Sequence, residues 1–262
     1  MKSPEYFFQN NMEKNAKNIS AIFEKSQDVS EEEERLTKEN VGRAVFELEK
    51  EWGVESPISF KVSIIGDNDF RIGKPENGPQ YKKFCFLLRD NDKDMRDPEK
   101  NVVYVNINLF KTLPTDAYRM IKHEISHIVV GNLVNDLGTY QKSFFLEEGT
   151  AGLEGATESL VKKLKEIGAK EVPDPLLIKN INDAKMIGGD TDKEPFTEQL
   201  GDLVIMSFVG FMMENQGKQK ILEVYKKLAN SENLEDAYRK ICGVELIEER
   251  NIWKKLIEDN IR

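Results

Sequence analysis

The sequence predicts an α+β protein, and three observations carry that prediction. One stretch alternates apolar and polar residues, other stretches repeat apolar residues at helical spacing, and the two patterns are segregated along the chain. Alternation is confined to about residues 58–109, and everything after Pro114 reads as helix. The expected layout is an N-terminal part of helix and sheet, residues 1–113, and a helical C-terminal part, residues 114–262, which together make one functional domain.

Residues 4–30 are polar and weakly periodic, and read as a helix or a loosely held arm. From Glu32 to Trp52, Leu36, Val41, Val45 and Leu48 fall on one helical face, and Gly53 supplies a stop. The period then changes: Ile58, Phe60, Val62 and Ile64 alternate with Ser59, Lys61 and Ser63, as in a half-buried strand. Phe84–Leu88 and Val102–Leu109 are two further strands between loops rich in Gly, Asp, Asn and Pro. No crossover helix stands out between these three, so the sheet is expected to be small and mostly antiparallel.

In the C-terminal part, Thr115 and Asp116 sit where an N-cap belongs, ahead of an amphipathic helix from Ala117 to Val134. A second helix is expected from Leu146 to Ile167. Leu203–Met213 is apolar almost all round, which marks a buried core helix too short to span a bilayer. Amphipathic helices at about 218–230, 233–242 and 245–259 close the chain.

Composition narrows the partners. A net charge of −9 without a basic stripe argues against nucleic acid, whose binders need clustered cations. Cys85 and Cys242 belong to no metal-binding cluster and read as small apolar residues, with a disulfide as the minor alternative. No segment has the length of a membrane span or a signal-peptide core, so the chain as written reads as cytoplasmic, or as exported if a native signal peptide is missing from it. Oligomeric state is not legible.

The chemistry concentrates in His123-Glu124-Ile125-Ser126-His127. Residues four apart on a helix share a face one turn apart, so both imidazoles can reach one zinc ion. Glu124, one position after the first ligand, is displaced around the helix and can reach a water on that ion as a general base. The chain has only two histidines. Chance would place them four apart with glutamate after the first roughly once in a thousand shuffles. A catalytic zinc needs a third protein ligand, and no histidine is left to supply it. Phe145-Leu146-Glu147-Glu148-Gly149-Thr150-Ala151 offers two carboxylates.

HEISH followed by IVVGNLV and then FLEEGTA resembles the gluzincin zinc peptidases, in which a downstream helix bears a glutamate ligand within an EGxA-type motif. The Gly131-Asn132-Leu133-Val134 segment is similar to their aminopeptidase branch. The resemblance implies a zincin-like fold, zinc as cofactor, and Glu148 as the third ligand beside His123 and His127, with Glu147 the neighbouring alternative. It covers about residues 100–260. Ser207-Phe208-Val209, Leu234, Ala237, Gly243 and Trp253 are placed much as in peptidase MA-like domains, and otherwise read as core and caps. Such enzymes add an oxyanion-stabilising side chain. Tyr140 is the candidate, while Tyr225 and Tyr238 read as core-edge residues, and Asp202-Leu203-Val204 stand where a tyrosine is usual.

The expected activity is hydrolysis of peptide bonds in a peptide or protein substrate, with Val102–Asn108 as the sheet edge that receives it and Phe84–Leu88 second. Glu154, Glu158 and Asp202 are candidates to orient the imidazoles, and the small residues Gly149, Ala151, Gly152, Gly155 and Ala156 suit close helix packing. Two rivals stay open: a non-catalytic zinc-binding protein-interaction domain, and a hydrolase acting on another bond.

Overall fold

A computed structural model describes residues 18–66, 85–89, 101–107, 110–111, 117–134, 144–152, 155–178, 200–229 and 233–262. The chain divides into two compact units, Met1–Asn132 and Leu133–Arg262.

The first unit opens with strand β1 (Ile19–Lys25) and helix α1 (Glu31–Trp52), followed by strands β2 (Ile58–Ile65), β3 (Cys85–Arg89) and β4 (Asn101–Asn106). Helix α2 (Ala117–Val134) comes next, its last two residues lying past the boundary. The strand order among the described residues is β1-β2-β4-β3. β1 pairs parallel to β2, β2 parallel to β4, and only β3 and β4 run antiparallel. This overturns the expectation of a mostly antiparallel sheet. One reason is that β2 lies beside β4 and not beside β3; the other is β1, which the polar character of residues 4–30 concealed. With β1 in place, α1 becomes the crossover of a β1-α1-β2 unit, and crossovers join parallel strands.

α1 starts with a capping box, in which the Ser30 hydroxyl accepts from the Glu33 amide at 3.3 Å and the Glu33 carboxylate accepts from the Ser30 amide at 3.0 Å. It ends at Gly53, whose φ of 61° favours glycine there. Val41, Ala44, Val45, Leu48 and Trp52 are buried, as the spacing requires. Phe60, Val62 and Ile64 of β2 and Val103 and Val105 of β4 are fully buried and form the core of the unit. Lys25 of β1 and Lys38 flank Glu34 at 2.6 and 2.7 Å, and their ammonium groups hold its carboxyl at about 2, well below the usual range. Just past the same end of β1, Gly66 lies so near the Asp28 carboxylate that a Cβ would sit 2.0 Å from it, and its amide donates to the Ser26 hydroxyl at 2.9 Å.

The second unit contains α3 (Phe144–Thr150), α4 (Ala156–Glu166), a 3-10 turn at Pro175–Leu177, α5 (Leu200–Gln216), α6 (Lys218–Ala229), α7 (Leu234–Cys242) and α8 (Leu246–Ile261). The helix expected over Leu146–Ile167 is in fact two. Glycines at 149, 152 and 155 crowd the junction, and Gly155 caps α4 with φ 79°, outside helical geometry. α5 is the hub, with Leu203–Val209 buried on every side, as its all-round apolarity predicts. The Trp253 indole donates to the Ser207 hydroxyl at 3.1 Å, Thr157 shares a hydrogen bond with the same hydroxyl at 2.9 Å, and Phe208 packs on the Trp253 ring. These residues are core, as are Tyr225 and Tyr238, which are completely buried rather than at the core's edge. Burial and the neighbouring Glu249 carboxylate push the Tyr238 phenol up. Cys242 is a buried free thiol. No helix of the described residues is long and apolar enough to cross a membrane.

Candidate metal centre

The HExxH segment lies within α2, which is a continuous helix from Ala117 to Val134. Ile121, Ile125, Ile128 and Val129 are fully buried, so packing fixes the helix along its apolar face. Ser126 returns its hydroxyl to the Lys122 carbonyl at 2.8 Å. His123 is half-buried and His127 is buried. Their Nε2 atoms point at each other from 3.1 Å, and the rings meet edge-on with centroids 4.6 Å apart.

That separation is compatible with one shared metal ion. Two nitrogens each about 2.0–2.1 Å from one zinc ion, at a tetrahedral angle, stand about 3.3 Å apart. The imidazole pair therefore needs almost no adjustment to grip such an ion, and its donor type is the one zinc prefers. Glu124 is half-buried on the same helix, about 100° around the axis from His123.

In the second unit, Glu147 and Glu148 are both half-buried on α3. Leu146, Gly149 and Thr150 form the buried side of this short helix, which packs on α5. Gly149 allows the approach, since a Cβ there would lie 2.2 Å from Val209 Cγ2 and 2.4 Å from Val209 Cβ. Only backbone movement could relieve a clash with a Cβ of a neighbouring helix. Gly149→Ala is accordingly expected to destabilise the protein by about 1–3 kcal/mol, the usual range for overpacking. Thermal or denaturant unfolding of the metal-free protein measures this, and an unchanged midpoint would show that α3 is not held by this contact.

The other expected site residues divide as follows. Tyr140 and Glu154 lie outside the described residues, as do the N-cap candidates Thr115 and Asp116. Glu158 is exposed on α4, and Asp202 is half-buried in the first turn of α5. The strand expected to receive substrate, Val102–Asn108, is excluded for its described part: β4 is paired on both sides, between β2 and β3. β3, the second candidate, has one partner strand among the described residues.

Sequence reasoning missed a polar cluster on α1 and α2. Tyr118 donates to the Glu47 carboxylate, Lys122 donates to the same oxygen at 3.0 Å, and Lys122 also lies 3.3 Å from Glu51. Arg43 bonds the other Glu47 oxygen at 3.0 Å and stacks over the Tyr118 ring at 3.9 Å. Burial would raise the Glu47 carboxyl, but these donors outweigh it and hold it below the usual range. The one available signal was Tyr118 and Lys122 four apart on a largely apolar helix; their partner is more than 70 residues away. Set against models of known protein families and against curated proteins, the chain matches none.

Proposed function

We propose that this chain is a zinc-dependent metallopeptidase in which His123, His127 and Glu148 hold the metal and Glu124 is the general base. The observation that carries the reading is the 3.1 Å between the two Nε2 atoms, close to the spacing of two nitrogen ligands on one tetrahedral zinc. Supporting it, the Phe145–Ala151 segment offers Glu148, in an EGxA-like setting, as the carboxylate to complete the imidazole pair. Two neutral imidazoles and one carboxylate match the donor set of catalytic zinc, which keeps a further position open.

When bound, zinc would supply the Lewis acidity that lets water attack a carbonyl at neutral pH. The protein's own groups handle the protons. Glu124, off the ligand stripe yet on the adjoining face, takes a proton from the attacking water and returns it to the leaving amine. His123 and His127 contribute as neutral donors, so their protonation competes with the metal. A purely structural zinc site would have no chemical use for a carboxylate at position 124.

Metal removal tests the proposal. Metal-replete protein is expected to carry one zinc per chain by elemental analysis and to cleave casein or a peptide library. A chelator should abolish cleavage, and added zinc should restore it. Stoichiometric zinc without cleavage of any peptide would favour the non-catalytic zinc domain; absence of stoichiometric metal would end both readings.

A further inference from the structure

We infer that Glu47 of α1 is a positioning residue for the imidazole pair, setting the rotation of α2 through Tyr118 and Lys122. This rests on the metal site proposed above. Tyr118 and Lys122 are one helical turn apart and both donate to the same carboxylate oxygen, so Glu47 grips α2 at two points along one line. Each contact lies off the helix axis and so opposes roll, and the second, one turn further on, adds to that restraint and limits tilt as well. Lys122 is adjacent to His123 in sequence, so its tether acts within one residue of the first imidazole.

The geometry sets how much roll matters. A side-chain tip about 5–6 Å from a helix axis moves about 2 Å when the helix turns by roughly 20°. Zinc–ligand distances tolerate only about 0.2 Å. Apolar packing along Ile121, Ile125 and Ile128 resists translation, but apolar contacts are non-directional and define rotation less sharply than hydrogen bonds do. Glu47 is itself held in place: Arg43, one turn earlier on α1, bonds its second oxygen at 3.0 Å. Glu51, the next turn on, takes a share of Lys122 at 3.3 Å. The cluster thus joins three successive turns of α1 to the first turns of α2, immediately before the first histidine.

The test compares wild type, Glu47→Gln and Glu47→Ala by zinc affinity, using competition with a chromogenic chelator well below the unfolding temperature. The d–d absorption of the cobalt-substituted proteins reports ligand geometry independently of catalysis. Glu47→Ala is expected to bind zinc roughly tenfold more weakly, at the low end of losses seen when groups supporting a metal ligand are removed, and to shift the cobalt spectrum. Glu47→Gln keeps an oxygen acceptor for both donors and should stay near wild type. A merely stabilising role would lower the melting temperature of the metal-free protein and leave affinity and spectrum unchanged, which would overturn the inference. Should Glu47→Ala fail to fold, Tyr118→Phe and Lys122→Met each remove one grip; weakened zinc binding in both supports the assignment, and wild-type affinity in both refutes it. Zinc uptake by wild type with unaltered variants sinks this inference alone, whereas no uptake by wild type removes the metal site and the inference with it.

Discussion

Glu124→Gln is expected to reduce peptide hydrolysis roughly a hundred- to ten-thousandfold, the usual contribution of a positioned general base, while the protein keeps its zinc. The amide has nearly the same shape as the carboxylate and can still form hydrogen bonds, so the half-buried position should tolerate it sterically. What it lacks is the capacity to hold a proton. His123 and His127 lie about 40° apart around α2, whereas Glu124 is about 100° from the first of them, so its loss should leave the ligand stripe intact. Single-turnover cleavage, zinc content and the melting temperature of the variant together make the test specific. Equal cleavage by variant and wild type would remove Glu124 from the mechanism, and loss of zinc would show that it serves the metal instead of the proton.

The parts of the fold that were legible are those whose signal is local. α2 has the limits that its spacing predicts, and α1 differs by one residue at its start, where the Ser30 capping box sets the first turn. Both bury a regular apolar stripe, and burial of such a stripe is what selects a helix. β1 was illegible for the opposite reason. Its burial alternates from Ile19 to Glu24, but Ile22, 49% exposed, puts an apolar residue on the outer face, so the sequence Ile-Ser-Ala-Ile-Phe does not alternate. Its conformation comes from pairing with β2, nearly forty residues away, as in the register Ile19 to Ile58. Missing that one strand hid the parallel β1–β2 pair, since α1 could not be recognised as a crossover; the parallel β2–β4 pair arises because β2 lies beside β4 and not beside β3. The imidazole pair was legible because the helix brings i and i+4 together by itself. The Glu47 cluster was not, because acids on a charged helix are common and nothing in α1 distinguishes Glu47 from Glu49 or Glu51.

The proposed third ligand gives the other large expected effect. Structural zinc sites are worth about 10–16 kcal/mol over their ligands, so one ligand accounts for about 3 kcal/mol and Glu148→Ala should weaken zinc binding a hundredfold or more. Glu147→Ala should change it little. The distinction follows from α3 itself: Leu146, Gly149 and Thr150 face inward, with Gly149 against Val209 of α5, which fixes how the remaining residues are directed. At about 100° per residue, Glu148 lies about 150° from the middle of the face that Leu146, Gly149 and Thr150 bury, and Glu147 about 110° from it. Neighbouring carboxylates on a helix therefore point in different directions, and a metal needing one oxygen can select only one of them. Both residues are half-buried, so alanine at either should alter the stability of the metal-free protein by a similar small amount, leaving zinc affinity as the discriminating measurement. A larger loss in Glu147→Ala would transfer the ligand assignment to that residue. No loss in either variant would mean that α3 supplies no oxygen to the metal, and a third donor would have to be sought elsewhere in the chain.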